Sequence, residues 1–203
     1  MPEPDAFATL IDTLKLSVAT LRGEGIPFML GGSLAAWARG GPEPKKDLDL
    51  MLKPEDADRA LAALAGAGMR TARPAEEWLY KAWNGDVLVD LIFSPSGIEI
   101  DDEVLARADP ISVMAVSMPV MDLEDMLVTM LLALDEHCLC YSSLLGIARS
   151  LREQIDWEQL RSRTGGSPFA KAFFTMVEEL GIAASPSRPP VATRRVRVLD
   201  GGA

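Results

Sequence analysis

Asp47 and Asp49 alternate with leucines in Lys46-Asp47-Leu48-Asp49-Leu50-Met51, and Asp90 sits in the apolar run Val89-Asp90-Leu91-Ile92-Phe93. An ionised carboxylate embedded in such a strand loses hydration and is costly without a partner. Period-two geometry puts Asp47 and Asp49 on one face of their strand and Leu48, Leu50 and Leu52 on the other. A neighbouring strand bearing Asp90 would bring a third carboxylate to the same place. Three like charges repel at neutral pH unless a cation sits among them. Magnesium suits such a set, because it takes a few carboxylate oxygens and leaves positions for substrate phosphates. Thirteen residues separate Asp47 from the turn Gly31-Gly32-Ser33. Glycines let a triphosphate approach the backbone closely, the amides of a following helix face an anion, and Ser33 adds a hydroxyl donor. The chemistry these groups could do together is metal-assisted nucleotidyl transfer. In a two-metal arrangement one ion activates the attacking hydroxyl and the other steadies the leaving pyrophosphate.

The elements that must position these residues follow from hydrophobic spacing. Phe7, Leu10, Ile11, Leu14, Val18 and Leu21 predict a helix over 6–22, stopped by Gly23 and Gly25. Residues 26–30 read as a short buried strand, after which Ser33 caps a helix through Arg39. The loop 40–44 is dense in Gly and Pro. Strands are expected at 46–52, 69–72, 78–83 and 87–93, the last two joined by an Asn84-Gly85-Asp86 turn. Pro54 begins a helix to about residue 65. A helix near 102–108 and a short strand near 113–116 complete this half. From Asp122 only helices are expected, over 122–136 from a capping-box-like Asp122-Leu123-Glu124-Asp125 start, then 142–153, 157–163 and 168–180. The domain boundaries read as a catalytic α/β core over 1–120, a helical lobe over 121–182, and a flexible Pro- and Arg-containing tail over 183–203.

Composition narrows the classes further. The 203 residues are 48% apolar and 25% charged, with no apolar run long enough for a membrane span. No secretory leader is legible at the start, and two closely spaced cysteines, Cys138 and Cys140, make no disulfide framework, so a reducing cytoplasm is expected. A net charge of −10 argues against broad binding of nucleic acid by phosphate neutralisation. Local cations that could meet a phosphate are Arg39, Lys45, Lys46, Arg70, Arg73 and Lys81. His137 beside the two cysteines has the wrong spacing for zinc and is expected to end a core-packed helix with Cys138. Trp37 and Trp83 are expected in the core more than stacked on a base.

Leu30-Gly31-Gly32-Ser33, the thirteen-residue gap, Asp47-Leu48-Asp49-Leu50 and the later Asp90 resemble the signature of the DNA polymerase β nucleotidyltransferase superfamily. The resemblance covers about residues 26–93. It implies an α/β (α+β) core, a mixed sheet flanked by helices, which moves a nucleoside monophosphate from a nucleoside triphosphate with two Mg2+ ions. On that pattern Asp47 and Asp49 would bind both metals and Asp90 the catalytic one. Gly31, Gly32 and Ser33, with Lys46, would hold the triphosphate. The helical stretch from Leu123 resembles the C-terminal lobe of small bacterial relatives, the toxin-like and antibiotic-modifying nucleotidyltransferases. Many of these carry a lysine where this chain has Met130.

The expected activity is therefore transfer to a hydroxyl acceptor, with Asp90 best placed to assist deprotonation. An RNA 3′ end, as of tRNA, is the first acceptor expected from the toxin-like layout, with an antitoxin protein as the matching partner. A small molecule such as a cationic antibiotic is the alternative, favoured by the acidic charge. A protein acceptor is a third. The competing class is a nucleotidyltransferase-fold binding module without catalysis, for which Met130 speaks and the intact acids do not.

Overall fold

In the computed structural model, residues 6–44 and 47–183 are described. Lys45, Lys46 and the expected tail from residue 184 lie outside the described residues. Helix α1 (Ala6–Gly23) buries Leu10, Ile11, Leu14, Val18 and Leu21 along one side. Ile26 N–H donates to Leu21 O at 2.9 Å and closes the helix end. That bond, with Pro27 lacking a donor, leaves only Met29–Leu30 to pair as β1, so the strand expected over 26–30 is shorter than its apolar run.

Then follow α2 (Gly32–Ala38), β2 (Asp47–Met51), a short 3-10 turn at Pro54–Asp56, α3 (Ala57–Gly66), β3 (Arg70–Ala72), β4 (Leu79–Asn84), β5 (Val87–Ile92) and α4 (Asp102–Ala106). Strands β6 (Asp109–Val113) and β7 (Val116–Val120) come next, and then α5 (Leu123–Leu132), α6 (Tyr141–Leu151), α7 (Trp157–Thr164) and α8 (Pro168–Glu179). The sheet is mixed and seven-stranded, in the order β3-β4-β5-β2-β1-β7-β6. Among the described residues all its strands precede residue 121, and four helices follow. This is the mixed α/β architecture expected from the sequence.

Other sequence expectations change as well. The single strand expected near 113–116 is the turn of a β6–β7 hairpin, in which Met114 and Ala115 have φ of 47° and 67°. Left-handed pairs of this kind usually carry Asn or Gly, so the turn had no recognisable residues. Pro110 and Pro119 also interrupt the strand pattern, yet they face each other across the hairpin. Both missing donors thus fall at one rung. The helix expected over 122–136 stops at Leu132. Asp135 Oδ1 instead accepts the N–H groups of His137 and Cys138, both at 2.8 Å, and turns the chain out. His137, Cys138 and Cys140 are exposed there and do not pack on the core.

The sheet's buried face sets the register of the site. Leu48, Leu50, Val89 and Leu91 have no exposed surface, and burying each large side chain stabilises the fold by roughly 2 kcal/mol. A one-residue slip of β2 would expose its leucines and bury both aspartates, so the register is strongly specified. Asp125 in α5, only 1% exposed, accepts from Arg107 at 2.8 Å and from Arg163 at 2.6 Å, joining the segment after α4 to α5 and α7.

Candidate active site

β2 and β5 run parallel with Asp49 opposite Asp90. β4 pairs antiparallel to β5 with Lys81 opposite Asp90. Asp47 lies two residues along from Asp49, on the same face. One face of three adjacent strands therefore presents Asp47, Asp49, Asp90 and Lys81.

The glycine turn lies against this row. Gly31 N–H donates to Asp49 O at 2.8 Å. Gly32 has φ of 59°, and a Cβ built there would sit 1.7 Å from Asp49 Oδ2. Glycine is thus required twice at position 32, for the left-handed backbone and for the close approach of the carboxylate. Ser33 is not the cap that its type and position suggested. Gly31 is the N-cap residue and Ser33 belongs to the first turn of α2, where it lines the cleft with Gly32.

That cleft encloses about 760 Å³, enough for a nucleotide or a drug-sized molecule. Asp47, Asp49 and Met51 form part of its sheet wall, and Thr129, Met130, Ser142 and Ile147 part of its helical wall. Four carboxylates line it, those of Glu43, Asp47, Asp49 and Asp135, and among the described residues no basic side chain does. Asp135 falls inside the helix expected over 122–136. Its place in the cleft depends on α5 stopping early, which spacing did not disclose. Trp78, 44% exposed, stands at the sheet side of the cleft beside Ser94. The strand expected over 78–83 opens on it, but β4 begins one residue later at Leu79, so alternation did not place its ring in the cleft.

The other cations named from sequence are mostly engaged elsewhere. Arg39 donates to Asp109 at 2.8 Å and to Met121 O at 2.6 Å, pinning the hairpin. Arg70 lies over the Trp83 ring and Arg73 bonds Asp58. Trp37 packs edge-on against Phe7, and neither Trp37 nor Trp83 lines the cleft. Lys46 lies outside the described residues.

The acids were expected to converge as a cage. They share a face, but among the described residues no three His, Cys, Asp or Glu side chains stand close enough together to hold a metal. Lys81 Nζ stands 3.4 Å from Asp90 Oδ1. Burial pushes the Asp90 carboxyl above its usual range, Lys81 opposes the shift, and Asp47 adds to it. Asp47 Oδ1 and Asp90 Oδ1 are buried without a hydrogen-bond partner. Hard, unsatisfied carboxylate oxygens beside a glycine turn fit magnesium in donor type.

The same fold occurs in proteins of known structure. The antibiotic-resistance factor ANT(2″)-Ia, solved with adenylyl-2″-tobramycin, matches with a TM-score of 0.61 at 16% identity, over 81% of this chain and 99% of that one. Its solution structure gives 0.60 at 15% identity, over 86% and 97%. A Thermotoga maritima protein named as a candidate nucleotidyltransferase gives 0.50 at 14%, over 79% and 95%. No sequence match was found among curated proteins. The mixed sheet and its flanking helices form a nucleotidyltransferase-like fold, with the glycine turn lying against the acid row. The chain belongs to the family described as "uncharacterised nucleotidyltransferase", which it matches over residues 18–183, across both the sheet and the helices after it. It is accordingly an enzyme of the nucleotidyl-transferring class. These likenesses do not extend to an RNA acceptor or an antitoxin, and no helix among the described residues is long and apolar enough to cross a membrane.

Proposed function

We propose that the protein transfers a nucleoside monophosphate from a nucleoside triphosphate to a hydroxyl of a small cationic acceptor, with magnesium. The observation that carries this reading is the Asp49–Asp90 rung beside Gly32, next to a cleft lined by four acids. Bound magnesium supplies charge neutralisation of the phosphates and a lowered pKa for the attacking hydroxyl. Asp47, Asp49 and Asp90 would hold it. The Gly31-Gly32-Ser33 turn offers backbone amides and a hydroxyl to the triphosphate, and Trp78 offers its indole face to the base. Asp90, opposite Asp49 on the neighbouring strand, is the acid assigned to accept the acceptor's proton.

An acceptor entering from the lobe side meets Asp135 and Glu43. Their charge attracts ammonium groups and repels a phosphate backbone, which makes an RNA 3′ end the poorer fit. Support for a small acceptor also comes from ANT(2″)-Ia, whose structure holds an adenylylated tobramycin on the same fold. The test is incubation with each of the four labelled triphosphates and Mg2+ against three acceptor pools: polyamino hydroxyl compounds such as aminoglycosides, neutral sugars, and total tRNA. Label in the first pool, with pyrophosphate release, is the expected result. Label in tRNA alone would overturn the acceptor assignment.

A further inference from the structure

Asp90 and Lys81 face each other on neighbouring strands, with Lys81 Nζ 3.4 Å from Asp90 Oδ1. That is longer than the roughly 2.8 Å of a good charge-assisted bond, and Asp90 Oδ1 has no hydrogen-bond partner. The Asp90 side chain is 12% exposed, whereas that of Lys81 is 29% exposed. Asp47 and Asp49 line the cleft but Asp90 does not. The rung thus reads Asp49, Asp90, Lys81, with the ammonium engaged on the carboxylate that the other two need to complete an ion site.

A purely structural pair would be expected to close to full hydrogen-bonding distance, since a half-made buried ion pair offsets little of its desolvation cost. A lysine is also well suited to let go. Its stem can stay packed along β4 while the ammonium swings to water.

We infer that Lys81 is a positioning residue, a latch that occupies Asp90 in place of a divalent ion and must leave before Asp90 can join Asp47 and Asp49 around one. This rests on the magnesium reading above. The latch keeps the acid row from repelling itself in the empty enzyme. It also sets the ion concentration at which the site assembles, because each incoming cation must displace a charge already there.

The experiment titrates Mn2+ into the full-length protein by calorimetry without nucleotide, for wild type, Lys81→Gln, Lys81→Arg and Asp49→Asn. Lys81→Gln is expected to bind Mn2+ roughly tenfold more tightly than wild type, as removal of a like charge within a few ångströms implies. Lys81→Arg should stay near wild type. In unaltered protein, Mn2+ should speed acetylation of Lys81 by acetic anhydride, read by mass spectrometry, and should not do so in Asp49→Asn. Equal or weaker Mn2+ binding by Lys81→Gln overturns the latch while leaving the metal site standing. Absence of Mn2+ binding in wild type and Lys81→Gln alike overturns the metal reading and the latch together. Should Lys81→Gln not fold, the labelling decides, and a rate unmoved by Mn2+ in wild type overturns the latch.

Discussion

On the sheet side of the cleft, Asp47, Asp49 and Asp90 are placed by strand register and by a glycine that no other residue could replace. On the helical side, Thr129, Met130 and Ser142 are placed by helix packing, with the buried Asp125 carboxylate bonding Arg107 and Arg163. Backbone hydrogen bonds hold the first wall, so it tolerates little change. Side chains hold the second, so its lining can vary while the helices keep their places. A rigid wall suits groups that must meet reacting atoms within tenths of an ångström. A wall that varies by substitution suits recognition of an acceptor.

Breaking the rigid wall should cost most. Asp49→Asn keeps the shape of the side chain and removes its charge, so the fold should persist while kcat falls about a thousandfold, the several kcal/mol a metal-bound phosphate supplies. Gly32→Ala should approach the same loss, because its methyl lands on Asp49 Oδ2. Pyrophosphate release measures both. Turnover within tenfold of wild type in Asp49→Asn would show that the rung does not do chemistry.

Unfastening the lobe is expected to act on stability first. Asp125→Ala leaves Arg107 and Arg163 facing a gap at the core–lobe junction, and removing one member of a buried ion group costs about 3 kcal/mol. The figure is taken at the low end because Arg107 is 48% exposed and water screens it. Urea denaturation reads this directly. A loss under about 1 kcal/mol would mean that packing alone joins the two regions.

The contrast between the walls also explains how much could be read from sequence. β2 and β5 were legible because alternation of Asp with Leu, and a β-branched run around Asp90, are properties of local sequence. So were the glycine turn and the cap at Asp122, whose side chain accepts from the Asp125 amide. The cleft's other wall was not. Asp135 lines it only because the chain leaves α5 at Leu132, and nothing in Ala133-Leu134-Asp135 marks an exit. Trp78 escaped for a similar reason, because the strand expected to begin at it begins at Leu79. The role of Lys81 depends on pairing between β4 and β5, a contact that spacing alone does not assign to one face. The β6–β7 hairpin was hidden by a turn of Met and Ala where Gly or Asn would announce one.

Trp78 allows a sharper division between the walls. It belongs to the sheet side yet acts through its ring, so Trp78→Ala should raise the Michaelis constant for the triphosphate about tenfold, the loss of one base–aromatic stack. Its kcat should stay within about threefold. A rise in the acceptor's constant instead, with the triphosphate's unchanged, would reassign the ring to the acceptor and move the base to the lobe.

The smallest effect expected is at Asp135, and it tests whether the helical wall chooses the acceptor by charge. Asn is the informative replacement. Its carbonyl oxygen can still accept the His137 and Cys138 amides that Asp135 Oδ1 now accepts, so the loop keeps its turn and only the charge is lost. A single exposed attraction across a cleft is worth under about 1 kcal/mol, hence a three- to fivefold rise in the Michaelis constant of a polyamino acceptor. The constant of a neutral acceptor should not move. The difference should also shrink as salt is raised from 50 to 500 mM, since the Debye length then falls to a few ångströms. A salt-independent difference, or equal effects on charged and neutral acceptors, would mean that Asp135 shapes the loop without reading the acceptor's charge.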